Sequence, residues 1–99
     1  MLRRAICGAV FVVSLAGAAV AVAADAPPGA SSCSGCHAAS AAVQTPVPRL
    51  IGRPAPEIVT AMQAFRAGQR SATVMDRIAK GFSDTEMASI AAWYAGQKD

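Results

Sequence analysis

The residues of this chain that could do chemistry lie in one short segment, Cys33-Ser34-Gly35-Cys36-His37. The segment holds two of the three cysteines and the only histidine of the sequence. Two thiols three positions apart can form a disulfide, a redox pair or part of a metal site, and the imidazole beside them can ligate a metal ion. Each of these interpretations requires particular residues or structural elements elsewhere in the chain.

Three of the interpretations fit the sequence poorly. A disulfide across two intervening residues closes a loop too small to stabilise the fold much, and it leaves the histidine without a role. A thioredoxin-like redox pair sits beside a strand in a βαβ unit, and no alternating strand pattern occurs here. A structural zinc site needs four protein ligands, and the sequence offers no second Cys/His pair.

The fourth interpretation is the C-x-x-C-H motif of covalent haem attachment, and we favour it. In this motif Cys33 and Cys36 form thioethers with the two vinyl groups of one haem, and His37 lies beneath the iron as its proximal ligand. The sixth ligand then decides the function. An open position would let the iron bind a small molecule, whereas a methionine in that position would restrict it to passing electrons.

The candidates for a sixth ligand are the methionines Met62, Met75 and Met87. Met62 and Met87 lie on the apolar faces of predicted helices, where packing in the core explains them. Met75 lies in or near a short predicted helix that follows a glycine-containing turn. Core packing is the alternative for Met75 as well, because methionine commonly fills gaps in a core.

The elements that must position these residues are predicted to be helices and loops. Residues 38–53 contain small residues and prolines without helical periodicity, which indicates a loop. The spacing of apolar residues predicts a helix from Pro56 to about Ala67 and a shorter one from about Thr73 to Lys80. A last helix runs to Gly96, and it begins with an S-x-x-E capping box at residues 83–86. The fold class is therefore all-α.

The first residues of the chain predict export. Arg3 and Arg4 precede an uncharged run over residues 5–24 that closes with Ala-Val-Ala, a pattern typical of a cleaved signal peptide. A retained transmembrane anchor is the alternative, because twenty uncharged residues can just span a bilayer. We expect a signal peptide over residues 1–24, a flexible lead-in over residues 25–32 and a periplasmic domain over residues 31–97.

Composition sets the limits of that domain. Without Arg3 and Arg4 the nine basic residues become seven, against six acidic ones, so the net charge falls from +3 to +1. This charge is too small and too scattered for nucleic-acid binding. A domain of about 75 residues is marginally stable on side chains alone, and a buried macrocycle would supply the missing core.

Five segments of the sequence resemble the small bacterial class I cytochromes c, and in order they are C-S-G-C-H, P-V-P-R-L-I-G, A-F-R-A-G-Q-R, T-V-M-D-R-I-A-K-G-F-S-D and I-A-A-W-Y. In their order and residue identities, these segments are most similar to those of the cytochrome subunits of flavocytochrome c sulfide dehydrogenases. The resemblance covers nearly all of residues 31–97. It implies a class I cytochrome c fold, with short helices and a long loop wrapped around one covalently bound haem c.

The resemblance also implies the cofactor-binding residues, which are Cys33, Cys36, His37, Pro48, Leu50 and Met75. Thioethers are expected at the two cysteines, and iron ligation at His37 and Met75. Pro48 matches a proline whose carbonyl accepts a hydrogen bond from the proximal histidine, and Leu50 matches a leucine that packs against the haem.

The sequence departs from the class I pattern before its first cysteine. Class I cytochromes c carry a long N-terminal helix there, and Pro27, Pro28 and Gly29 leave room only for a short helix or none. We therefore expect part of the last helix, around Trp93 and Tyr94, to lack its usual cover and to offer an apolar surface to a partner.

The function implied is electron transfer without substrate chemistry, since no residue resembles a general base or nucleophile. We expect an exported mono-haem cytochrome, not an enzyme by itself, that accepts electrons from a flavoprotein subunit of a sulfide dehydrogenase. A free periplasmic shuttle to a terminal oxidase is the alternative, and a haem-based ligand binder or sensor is a third hypothesis. The basic residues that flank the motif and methionine segments are Arg49, Arg53, Arg70, Arg77 and Lys80. They could contact a partner; the alternative is that they serve solubility or pair with Asp76, Asp84 and the haem propionates.

Overall fold

The computed structural model describes residues 10–14, 16–18 and 25–98. Most of the predicted signal peptide, residues 1–24, lies outside the described residues, and its cleavage stays a prediction. Across the described ranges, the structure contains no helix that is both long and apolar enough to cross a membrane.

Four α-helices follow one another along the chain. They are α1 (Ala30–Cys33), α2 (Ala55–Arg66), α3 (Met75–Ala79) and α4 (Asp84–Gly96). No strand occurs between residues 25 and 98, so the predicted all-α class is confirmed. The second and fourth helices begin and end within a residue or two of their predicted bounds, whereas α3 is shorter than the apolar spacing predicts.

The ends of α2 and α4 follow from local sequence. Ser83 and Glu86 form the predicted capping box: the Ser83 hydroxyl accepts the Glu86 N–H at 3.2 Å, and the Glu86 carboxylate accepts the Ser83 N–H at 2.7 Å. This pair satisfies backbone donors that the first turn of α4 would otherwise leave unpaired. Helix α2 ends just before Gly68, whose φ of +71° is a conformation that glycine adopts without strain.

The core lies where α4 faces α1 and α2. Its buried members are Ala30, Ile58, Ile90, Ala91 and Tyr94. Helix α2 packs against both α3 and α4. No large side chain among the described residues is fully buried, and most other apolar side chains of the domain are only half-covered. The polypeptide by itself therefore builds a small core, as expected for a domain of this size.

The lead-in is better packed than the sequence predicts. Helix α1 begins inside residues 25–32, and Ala30 has no exposed surface. Gly29 has a φ of +87°, and a Cβ there would lie 2.8 Å from the ring of Phe82. From Gly29 onward this segment therefore packs against the rest of the domain, so the expectation of a flexible lead-in holds at most for residues before it.

The cover of α4 differs from the expectation in one respect. The N-terminal helix is indeed short, with four residues, yet Tyr94 is only 3% exposed because α1 packs on it. Trp93 remains half-buried and lines an open groove with Ile51 and Gln97. The apolar surface expected on α4 is thus limited to the side of Trp93.

Candidate functional site

The C-x-x-C-H segment forms a single helical turn that continues α1. The carbonyl oxygen of Cys33 accepts the backbone N–H of Cys36 at 3.2 Å and that of His37 at 2.9 Å. Both cysteines are free thiols; Cys33 is half-buried and Cys36 is exposed. Two thiols and one imidazole are therefore presented together by one turn of backbone.

The thiol of Cys33 is not activated as a nucleophile. Burial raises the pKa of this thiol above its ordinary value of 9.0, and the polar groups of neighbours such as Ser32 and Tyr94 offset only part of that rise. The reactive cysteine of a dithiol redox pair has a lowered pKa, because the thiolate is the attacking species. The environment of Cys33 therefore argues against the thioredoxin-like interpretation.

The side chain of His37 is held by the long loop. Its Nδ1 lies 2.5 Å from the carbonyl oxygen of Pro48. A proline carbonyl can only accept, so Nδ1 carries the proton and donates it in this hydrogen bond. In the neutral ring Nε2 then has a free lone pair, which is the state of a histidine that ligates a metal ion.

The loop that carries Pro48 is fastened at both ends. On one side the guanidinium of Arg49 donates to the carbonyl oxygen of Ala39 at 3.2 Å. On the other side the N–H of Gly52 donates to the carbonyl oxygen of Tyr94 at 3.0 Å. Pro48 therefore lies in a segment that is tied both to the residues just after His37 and to α4.

The turn between these attachments needs a glycine. The N–H of Arg53 donates to the carbonyl oxygen of Leu50 at 3.1 Å, which closes a four-residue turn. Gly52, the third residue of that turn, has a φ of +74°, a conformation that side chains disfavour. Leu50 is half-buried and packs against the core cluster, and its predicted contact with a haem stays a prediction.

Met75 comes from a different part of the fold. It is the first residue of α3 and is half-buried. Of the other two methionines, Met87 is 3% exposed and Met62 packs against the core cluster, as expected for residues that fill the interior. The structure thus brings Cys33, Cys36, His37 and Pro48 together, and ligation by Met75 stays a prediction.

The surface around Met75 is apolar and basic. Val74 is 52% exposed and Ile78, one turn later, is 40% exposed. Arg77 and Lys80 are exposed, and within residues 25–98 neither forms an ion pair or a side-chain hydrogen bond. We call Val74, Arg77, Ile78 and Lys80 the α3 surface.

The other basic residues near the site are already engaged. Arg53 pairs with Glu57 at 3.1 Å, and Arg49 is bonded to the loop. The guanidinium of Arg70 lies 4.8 Å from the centre of the Phe65 ring. Of the five basic residues that the sequence offered to a partner, Arg77 and Lys80 of the α3 surface are therefore the freest to contact one.

The residues present fit a covalently held haem. The donor set consists of two free thiols and an imidazole whose Nδ1 is engaged, so that Nε2 remains to ligate iron. Many apolar side chains of the domain are half-covered, among them Leu50, Met62 and Phe82. A flat apolar group would gain favourable contacts from covering the exposed parts of such side chains.

One part of the site was not predicted from the sequence. The Tyr94 hydroxyl donates to the carbonyl oxygen of Ala30 at 2.6 Å and lies near the Cys33 thiol. Burial, with the nearby Cys33 as a second cause, raises the pKa of Tyr94 above its ordinary 10.0. The sequence did contain an indication of this bond, because a tyrosine on the apolar face of a predicted helix needs a buried hydrogen-bond partner for its hydroxyl.

Comparison with known proteins gives two relatives, and no family model matches the chain. The chain is 36% identical over 63 residues to the cytochrome subunit of sulfide dehydrogenase of Chlorobaculum tepidum, a match of 64% of this chain and 57% of that protein. It is 36% identical over 70 residues to cytochrome c-554(548) of Halomonas halodenitrificans, a match of 67% of this chain and 84% of that protein. The chain thus spans little more than half of the first relative and most of the second.

Proposed function

Because the chain belongs to the small cytochromes c, we propose that it is an exported mono-haem carrier that passes single electrons. The observation that carries the proposal is the hydrogen bond from His37, the last residue of the C-x-x-C-H turn, to the carbonyl oxygen of Pro48 in the long loop. It prepares the imidazole as a ligand, beside two thiols that are free to form thioethers.

Each residue of the site has one task in this proposal. Cys33 and Cys36 would hold the haem through thioethers, and Pro48 fixes the ring of His37 so that Nε2 would be free to ligate the iron. Met75 supplies the sixth ligand from α3. The haem supplies an iron that exchanges one electron at a time. A methionine thioether favours the ferrous state more than a second histidine would.

Fixed ligands suit this task. The histidine is held by the loop, and α3 is held by its packing on α2. Ligands that keep their positions in both oxidation states leave little to rearrange at each transfer. The relatives are named as a cytochrome subunit and a cytochrome c, which agrees with a carrier rather than an enzyme.

We propose that the α3 surface contacts the redox partner. Exposed Val74 and Ile78 can be covered by an apolar patch, and Arg77 and Lys80 can pair with acidic residues around it. The partner we favour is an exported flavoprotein of the sulfide dehydrogenase type, because one relative is named as a subunit of such an enzyme. The periplasm as the compartment rests on the signal-peptide pattern of residues 1–24.

A free periplasmic shuttle is the second candidate. It is favoured by the fact that the match covers 84% of a relative that is named simply as a cytochrome c. The two candidates differ in the lifetime of the complex. A permanent subunit buries a large, apolar interface, whereas a shuttle uses a small and salt-sensitive one.

The experiment that tests the proposal is size-exclusion chromatography of the exported protein, expressed together with a candidate flavoprotein and followed by haem and flavin absorbance. We expect both absorbances in one peak, and we expect the peak to persist at high salt. Haem absorbance at monomer size at low micromolar concentration would favour the shuttle. A chain that is exported without haem would contradict the whole proposal.

A further inference from the structure

Tyr94 connects α4 to both segments that hold His37. Through its hydroxyl it binds the carbonyl oxygen of Ala30 in α1, at 2.6 Å. Through its own carbonyl oxygen it accepts the N–H of Gly52 at 3.0 Å. Tyr94 is 3% exposed, so the buried bond of its hydroxyl is shielded from competition by water.

The first connection leads to the backbone of His37. Ala30 is the first residue of α1, and the last residue of that helix is Cys33. The carbonyl of Cys33 accepts the backbone N–H of His37 at 2.9 Å. The position of the histidine backbone therefore follows the position of α1, which Tyr94 and the packing of Ala30 attach to α4.

The second connection leads to the acceptor of the imidazole. Gly52 belongs to the turn that is closed by the hydrogen bond from Arg53 to Leu50, and Leu50 lies two residues after Pro48. The carbonyl of Pro48 accepts the proton of His37 Nδ1. One residue thus holds the donor segment and the acceptor segment of the same hydrogen bond.

We propose that Tyr94 is a positioning residue for the iron ligand: by tying α1 to the turn of residues 50–53, just after Pro48, it sets the length of the hydrogen bond from His37 to Pro48. The inference rests on the proposed function, since it assumes that His37 ligates haem iron. A shorter bond of this kind makes the imidazole a stronger electron donor, which stabilises ferric iron and lowers the reduction potential.

The test is Tyr94→Phe, which removes the hydroxyl and keeps the ring and the backbone carbonyl. We expect the hydrogen bond between His37 and Pro48 to loosen as α1 shifts. The midpoint potential should then rise above that of the parent protein. In the ferrous protein, labelled with ¹⁵N-histidine, the Nδ1 proton should exchange with water faster than in the parent.

A matched control separates positioning from loss of stability. Ser83→Ala removes the capping box from the same helix, far along α4 from Tyr94, and should lower the melting temperature. It should leave both the potential and the exchange of the Nδ1 proton at their parent values. Equal values of both quantities in Tyr94→Phe and the parent would overturn the inference, as would an equal change in Ser83→Ala.

A second experiment with a more conservative change is possible, because Tyr94 is the only tyrosine of the sequence. Incorporation of 3-fluorotyrosine therefore alters this residue alone and leaves a hydroxyl that donates more strongly. We expect a potential at or below the parent value, and this arm remains available if Tyr94→Phe does not yield holoprotein. A rise in potential here would contradict the inference. Absence of covalent haem in the parent would instead reject the proposed function, so the two failures are distinguishable.

Discussion

The backbone N–H of His37 donates to the carbonyl oxygen of Cys33 at 2.9 Å. This bond places the imidazole and the two thiols on one helical turn. A planar macrocycle that both thiols attach along one edge could then be ligated by the imidazole at its central metal ion. The geometry leads directly to a prediction on attachment.

We expect two thioether links. The pyridine haemochrome of the protein should show the spectrum of a haem attached at both vinyl groups, and acid acetone should not extract the colour. Cys33→Ala and Cys36→Ala should each give a poorly matured and less stable protein, because the small core depends on the macrocycle. Haem that acid acetone extracts from the parent would contradict the assignment.

We expect Met75→Ala to open the iron. Carbon monoxide should then bind the ferrous variant readily and the parent protein poorly, as followed by visible absorbance. The matched control is Met87→Ala, which should cost about 2–5 kcal/mol of unfolding free energy, as for other buried methionines, without opening the iron. Ready binding of carbon monoxide by Met62→Ala or Met87→Ala, rather than by Met75→Ala, would show that the ligand has been assigned to the wrong methionine.

We expect the buried hydroxyl of Tyr94 to stabilise the fold in a pH-dependent way. Tyr94→Phe should lose about 1 kcal/mol of unfolding free energy at pH 7, the usual contribution of one hydrogen bond. The pKa of this hydroxyl is raised in the folded state, so above pH 10 the unfolded chain ionises first and releases a proton. The stability contributed by the hydroxyl is therefore complete below pH 10 and is lost as pH rises through the folded-state pKa.

Denaturant unfolding of the parent and Tyr94→Phe proteins at several pH values measures this difference. Tyrosinate absorbance reports the titration of Tyr94 directly, because the chain has no other tyrosine. A stability difference that stays constant from pH 7 to well above the folded-state pKa would be inconsistent with the prediction.

We expect a charge in the middle of the α3 surface to weaken the partner complex. Ile78→Glu should weaken the affinity for the flavoprotein at least tenfold, about 1.4 kcal/mol. It places a charge in an apolar contact and repels the acidic residues that would face Arg77 and Lys80. The control is Val43→Glu, at a side chain that is also about half exposed but lies in the long loop. Haem absorbance should be the same in both variants, and equal weakening by both would point to another docking face.

The helices were predictable because their signals are local. The capping box of α4 depends on residues 83–86 alone, and the apolar spacing of α2 is repeated within one segment. The C-x-x-C-H motif is local in the same sense. The partner of the Tyr94 hydroxyl was not predictable, because it is a backbone carbonyl 64 residues away and any residue type could supply it.

The packing of the lead-in, residues 25–32, was also not predictable from local sequence. Pro27, Pro28 and Gly29 indicate irregular backbone, and such a composition predicts flexibility. Gly29 in fact adopts a positive φ and lies against the ring of Phe82. Composition reports that a segment lacks regular structure, but whether it packs depends on a surface formed elsewhere in the chain.

The hydrogen bond between Tyr94 and Ala30 also bears on how the domain folds. Closing a chain segment of 64 residues costs about 4 kcal/mol of chain entropy, which is more than one hydrogen bond contributes. The closure must therefore coincide with the burial of Ala30, Ile90 and Tyr94 against one another. We expect the first and last helices to dock and separate as one cooperative unit, so that their amide protons share a single opening free energy in hydrogen exchange instead of fraying independently.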